Sequence, residues 1–173
     1  MRKTGCALLL LCAGTAAAAG SAGERRTGDA LRYLLPVGVL AAEGLRGDFE
    51  GARQFGLSFA ATTVVTELLK RTTGVERPDG TNDRSFPSGH AASAFAAATY
   101  VHRRHGLEAA VPVYALATYV GYTRVHSGRH RWIDVGGAAA IAAASTWTFV
   151  DAAPVSVSVG HRQVAVRWSM PLR

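Results

Sequence analysis

Beyond its first two dozen residues the chain has no cysteine, because Cys6 and Cys12 both lie in the N-terminal segment. A disulfide framework, a thiolate metal site and a cysteine nucleophile are therefore excluded from the rest of the protein. Lysine is almost as scarce: of the 17 basic residues after Arg2 and Lys3, 16 are arginine and one, Lys70, is lysine. In a chain that otherwise fills its basic positions with arginine, one compact, rotatable ammonium marks position 70 as a place where a point charge is wanted. Acidic residues are outnumbered, 12 against those 17, a balance that suits an anionic substrate or membrane surface and equally a basic soluble domain. Long uncharged apolar runs are missing too. Mean hydropathy is +0.12, and Glu108, Asp134 and Asp151 fall in or beside the most apolar stretches, so the expectation is a soluble or peripherally attached domain rather than a membrane-spanning bundle. No internal repeat is present.

Among what is there, Arg2 and Lys3 precede an apolar run from Cys6 to Cys12 and a tract of small residues from Ala13 to Gly23. This order reads as a secretory signal peptide over residues 1–22, with cleavage after Ala19 or Ala22 and export to the periplasm. A retained anchor fits less well, since the strongly apolar part is short, and a lipoprotein signal fits worse because bulky Leu11 precedes Cys12.

Residues 23–173 suit a single domain with a substantial core, 49% of the chain being hydrophobic. The fold class expected is all-α: a compact bundle of about five helices over about 27–151, followed by a short β-hairpin over about 155–168. Asp29 is placed as the N-cap of a first helix to about Leu45, interrupted at Pro36, and Asp48 caps a second that runs to Arg71 and stops at Gly74. A turn-rich, charged loop follows to Pro87. The third helix starts at Ser88 and ends at Arg104 before Gly106, the fourth spans Leu107 to Arg124, and the fifth runs from near Arg131 to Val150. Alanine and glycine dominate these three and permit close helix contact. After Pro154, valines alternate with serines and then with Ala165 and Arg167, the period-two pattern of a hairpin. Two strands alone are marginal in water, so the hairpin is expected to pack on the bundle or on a partner.

Three segments carry chemistry: Lys70, six residues, Arg77-Pro78; then Pro87-Ser88-Gly89-His90; then Thr123-Arg124, five residues, His130, three residues, Asp134. On a helix, His130 and Asp134 would share a face, the carboxylate holding one ring nitrogen while the other points outward as a nucleophile or base. Each segment alone is commonly capping or surface pairing. Their joint occurrence in this order resembles the signature of the type-2 phosphatidic acid phosphatase superfamily, which includes bacterial class A acid phosphatases and vanadium-dependent haloperoxidases. Its pattern, K-x6-RP, PSGH and SR-x5-H-x3-D, is met everywhere except at Thr123, which keeps the hydroxyl of the usual serine. The resemblance covers Lys70 to Asp134.

A phosphoryl group in transfer spreads negative charge over its oxygens, so its site needs fixed positive charge and N–H donors. Lys70, Arg77 and Arg124 supply the charge. Ser88 is placed to cap the third helix, and Gly89 lets an anion approach the helix's positive end. His130 is expected to attack phosphorus and form a phosphohistidine, Asp134 to orient its ring, and His90 to protonate the leaving oxygen and later serve as base, a division that the resemblance also implies. No metal or other cofactor is called for. His102, His105, His126 and His161 read as ordinary surface histidines, although His126 and Arg129 stand close enough in sequence to reach substrate.

The function expected is therefore a metal-independent phosphatase acting on a phosphomonoester or pyrophosphate, of a lipid or an isoprenoid, with peripheral membrane contact and no nucleic-acid partner. The alternatives are a broad-specificity periplasmic acid phosphatase for soluble esters, a haloperoxidase holding vanadate on His130, and a non-enzymatic phospholipid-binding module.

Overall fold

The structure, a computed structural model, describes residues 21–152, with side chains from residue 23, and beyond them only the backbone of two short strands. Among the described residues five helices make up an all-α body: α1 (Ser21–Arg46), α2 (Phe49–Thr72), α3 (Gly89–His105), α4 (Leu107–His126) and α5 (Trp132–Phe149). The strands β1 (Val155–Val159) and β2 (Val164–Trp168) pair antiparallel with Val157 opposite Val166. How they sit on the bundle, and the fate expected for residues 1–20, lie outside the described residues.

Local chemistry sets most helix ends. Asp48 accepts the Gly51 amide at 2.9 Å to start α2, Gly74 follows the end of that helix at φ +58°, and Ser88 caps α3. The first helix departs from expectation. It begins at Ser21 and runs through Pro36 unbroken, so Asp29 lies inside it and caps nothing. Its buried stripe, Gly28, Leu31, Leu35, Val39 and Glu43, keeps helical spacing across the proline, and tertiary packing outweighs the lost hydrogen bond.

The alanine-rich α3 is the central element and packs against each of the other four helices. Ala91, Ala94, Ala96, Ala97 and Ala98 are fully enclosed, and small side chains bring its neighbours close. Larger groups fill the gaps: Phe55 of α2 lies 5.0 Å from Tyr100 of α3, centroid to centroid, and Thr99 shares a 2.8 Å hydrogen bond with Thr146 of α5. In α2 the usual polarity is inverted. Gln54, Ser58, Thr62 and Thr66 face inward, while Leu57, Val64, Val65 and Leu68 face outward. The inward hydroxyls of Ser58 and Thr62 are satisfied by carbonyls of the same helix, at 3.0 and 2.8 Å, so their burial carries little penalty. Among the described residues no helix is long and apolar enough to cross a membrane.

Candidate active site

The alternating direction of the helices gathers the three segments at one end of the bundle. There α2 and α4 finish, delivering Lys70 and Arg124, while α3 and α5 begin, delivering His90 and Asp134. Two helix N-termini thus point their positive ends at the same space. The space is a cavity of about 820 Å³. Lys70, Arg77, Gly89, His90, Arg124 and His130 line it; Ser88 and Asp134, both fully buried, stand behind its wall.

His130 lies just ahead of the fifth helix, in keeping with a start near Arg131, so the shared face that its spacing to Asp134 would give on a helix does not form. It occupies the turn before Arg131, the extended N-cap of α5 (φ −95°, ψ 163°), because Asp134 spends its carboxylate on capping that helix: Oδ2 accepts the Arg131 amide at 2.8 Å. The same oxygen accepts the Ser85 hydroxyl at 2.6 Å and lies 3.5 Å from His130 Nδ1. Nδ1 is otherwise unpartnered, so the pair is in ion-pair range without a formed hydrogen bond. His130 is 3% exposed, and its burial, with Lys70 and Arg77 nearby, pushes its pKa down to about 4 against the opposing pull of Asp134. The ring is neutral at neutral pH, with a free electron pair.

The cations are held individually. Burial is the chief cause lowering the Lys70 pKa, with Arg77 next. Lys70 Nζ reaches the Arg84 carbonyl at 3.4 Å, and a Cβ at Gly89 would lie 3.5 Å from Lys70 Cε, so the ammonium sits over the start of α3. Arg77 stays in place through its amide and its Nε, which donate to the Asn82 carbonyl and Oδ1 at 2.9 and 3.0 Å. Thr123, the departure from the family pattern, is buried; it donates to the Val120 carbonyl and accepts Arg124 Nε at 3.3 Å. Its hydroxyl thereby supports the arginine.

Three contributors escaped the sequence reading. Asp29 Oδ1 lies 2.9 Å from His90 Nε2 and 2.8 Å from Arg124 Nη1. Arg32 Nη1 comes within 3.0 Å of His90 Nε2. Ser85, in the loop before α3, holds Asp134. Nothing local marks any of them: a Thr-Gly-Asp sequence looks like a helix start, and Ser85 is one polar residue in a polar loop. For His90, burial first and then Arg32 and Arg124 push the pKa down to about 4, Asp29 opposing them.

The remaining histidines divide. Arg129 lines the cavity, whereas His126 does not, stacking instead on Tyr122 at 5.3 Å. His105 and His102 do not face water as expected: the first pairs with buried Glu43 at 2.6 Å, and the second packs edge-on against Trp147 and lies 3.2 Å from the Tyr114 hydroxyl. His161 lies outside the described residues. Among those residues no three His, Cys, Asp or Glu side chains cluster as a metal site.

The chain is similar to known proteins. The chain is 34% identical over 119 residues to the lipid A 4'-phosphatase of Helicobacter pylori, an alignment covering 62% of this chain and 60% of that protein. It is 43% identical over 68 residues to the lipid A 1-phosphatase of Porphyromonas gingivalis, covering 38% of this chain and 15% of that one. The chain thus spans less than two thirds of either curated relative. The crystal structure of Aquifex aeolicus LpxE has the same fold, with a TM-score of 0.62 at 23% identity over 82% of this chain and 92% of that chain. The PAP2 superfamily profile matches residues 51–156, well over half of the sequence and inclusive of all three segments, and the chain belongs to the PAP2 superfamily.

Proposed function

We propose that the protein is a lipid phosphate phosphatase working through a phosphohistidine. The observation that carries this reading is the make-up of the cavity: at its inner end lie Lys70, Arg77, Arg124, His90 and His130, and the same space continues between α1 and α2 along Tyr33, Val37, Leu40, Phe55 and Phe59. A phosphate on an apolar tail matches that division of charge and grease. Both curated relatives are named as lipid A phosphatases, which makes a phosphorylated saccharolipid the first substrate to test.

In the first step the neutral His130 ring attacks phosphorus through Nε2, its Nδ1 being on the Asp134 side. The P–O bond to the lipid breaks, and the leaving oxygen takes a proton from His90. Lys70, Arg77 and Arg124 hold the three oxygens whose charge grows in the transition state. In the second step water attacks phosphorus, gives a proton to His90, and the P–N bond breaks to release phosphate and restore His130. Burial is the first cause of the low His90 pKa and Arg32 and Arg124 the next; an arriving phosphate dianion offsets those two charges and so favours the protonated ring that the acid step needs.

Access from a membrane follows from the same helices. Tyr33 and Val37, each 61% exposed, and Val64 and Leu68, 62% and 63% exposed, present apolar surface on the two helices that flank the cavity. We read this face as resting on a lipid surface, in the exported, periplasmic setting expected from the N-terminal segment.

The test is phosphate release by purified protein from lipid A, an isoprenoid pyrophosphate and soluble esters, with chelator present. Turnover that prefers a lipid, survives chelator and vanishes in His130→Ala, with an acid-labile phosphoprotein trapped in wild type only, supports the reading. Full activity in His130→Ala would overturn it.

A further inference from the structure

The family profile begins at residue 51, yet α1, which precedes it, sends two charged side chains to one nitrogen of His90. Asp29 Oδ1 is 2.9 Å from Nε2; Arg32 Nη1, three residues along the same helix, is 3.0 Å from Nε2 and 3.3 Å from Nδ1. Similar distances to both ring nitrogens place the Arg32 guanidinium over the face of the imidazole, away from the in-plane electron pair of either nitrogen. Asp29 meets the ring at its edge, where a protonated Nε2 donates to the carboxylate. One neighbour thus favours the protonated ring and the other the neutral ring.

The approach of α1 is built in. A Cβ at position 28 would collide with Thr123 Oγ1 and stand 3.2 Å from Arg124 Nη2, so only glycine lets the helix come near enough to place Asp29 here. Asp29 also spans two functions, because its Oδ1 takes Arg124 Nη1 as well as His90 Nε2. A phosphoryl group binding Arg124 competes with Asp29 for that guanidinium and leaves the carboxylate to His90 alone.

We propose that Asp29 and Arg32 are an opposed positioning pair for His90: the carboxylate at the ring edge favours the protonated ring that the acid step needs, and the guanidinium over the ring face favours the neutral ring once that proton has gone. The inference rests on the reading of His90 as the acid. In the acid step the protonated ring gives one proton to the leaving oxygen and becomes neutral; in the hydrolytic step water returns one proton and restores the charged ring beside Asp29. The other charged groups around this pocket are Glu67 and Lys70 from α2, Arg124 from α4, and Arg25, Arg77, Arg129 and His130 on the cavity wall. None of these besides Arg124 makes a hydrogen bond to Asp29.

The experiment reads His90 directly. In protein carrying ¹⁵N-labelled histidine, with His90 assigned by His90→Gln, the ring is titrated in wild type, Arg32→Gln, and Arg32→Gln with Asp29→Asn. Arg32→Gln should raise the His90 midpoint by about one pH unit, and adding Asp29→Asn should lower it again by about one. The high-pH limb of kcat/KM should move in the same two directions. Asp29→Asn alone should slow release from an alkyl phosphate about tenfold at neutral pH while sparing an aryl phosphate, whose leaving oxygen needs little protonation. Asn is close to isosteric, and Asp29 is 53% exposed, so the fold should tolerate the change. Midpoints that stay put, or that move the same way in both steps, overturn the pair. Absence of turnover in wild type would overturn the phosphatase reading while the ring midpoints still decide this one.

Discussion

Ser85 donates its hydroxyl proton to Asp134 Oδ2 across 2.6 Å, with both side chains fully buried. That oxygen also takes the Arg131 amide and faces His130 Nδ1, so the serine fixes the carboxylate on which the proposed nucleophile depends. Ser85→Ala leaves a buried charge one partner short, at a cost of about 1–3 kcal/mol. Activity should fall about tenfold in kcat with KM little changed, since the loss concerns orientation and not binding. Urea unfolding and steady-state kinetics on one preparation check both numbers.

Gly28→Ala tests the close approach of α1 to α4. The new methyl meets the Thr123 hydroxyl, which is buried and tied to the Val120 carbonyl, so the helix must shift and carry Asp29 with it. Overpacking of this kind costs about 1–3 kcal/mol. Thermal melts should report it, and the high-pH limb of activity should move toward lower pH as Asp29 withdraws from His90.

Both site histidines titrate at about 4 in the folded protein, against about 6.5 when unfolded. Lowered histidine pKa values mean that the unfolded chain binds more protons in this window. Stability should therefore be full above pH 6.5 and decline as pH falls toward 4, by about 2 kcal/mol per group at pH 5 relative to pH 7. His130, the more deeply buried, should contribute more. Urea midpoints at the two pH values, in wild type and in His130→Gln, measure the slope; an unchanged slope in the variant would count against a neutral buried ring.

Asp48 works far from the cavity. Besides capping α2, it receives Arg104 through Nε and Nη2 at 2.7–3.0 Å, and Arg104 is buried 14 residues along α3 from His90, roughly 21 Å away. Asp48→Ala removes the cap and strands a buried guanidinium, at a cost of about 3 kcal/mol or more. At a temperature where the variant stays folded, kcat should remain near wild type, which separates scaffold from site.

Of the site residues named from the sequence, Lys70, Arg77, His90, Arg124 and His130 line one cavity, because they stand at helix ends or in the loops beside them and those ends alternate along the chain. Helix starts at Asp48 and Ser88 were readable for a simpler reason: a cap acts within one turn of its own residue. The same local logic misled at Asp29. At His130 the shared face that a four-residue spacing gives on a helix does not form, because the helix that Asp134 caps has Arg131 as its N-cap and starts at Trp132. Asp29 had a cap's neighbours, but the helix already runs from Ser21.

What the sequence by itself determined is the three short segments, their order, and the helices that separate them, since all of these depend on residues a few positions apart. Only the tertiary structure decided that Asp29 bridges His90 and Arg124, 61 and 95 residues away, and that Ser85 holds Asp134, 49 residues away. Contacts at such separations follow from how closely the elements pack, and missing side chains permit that closeness: Gly28 lets α1 approach Thr123, and Gly137 lets α5 approach Phe86.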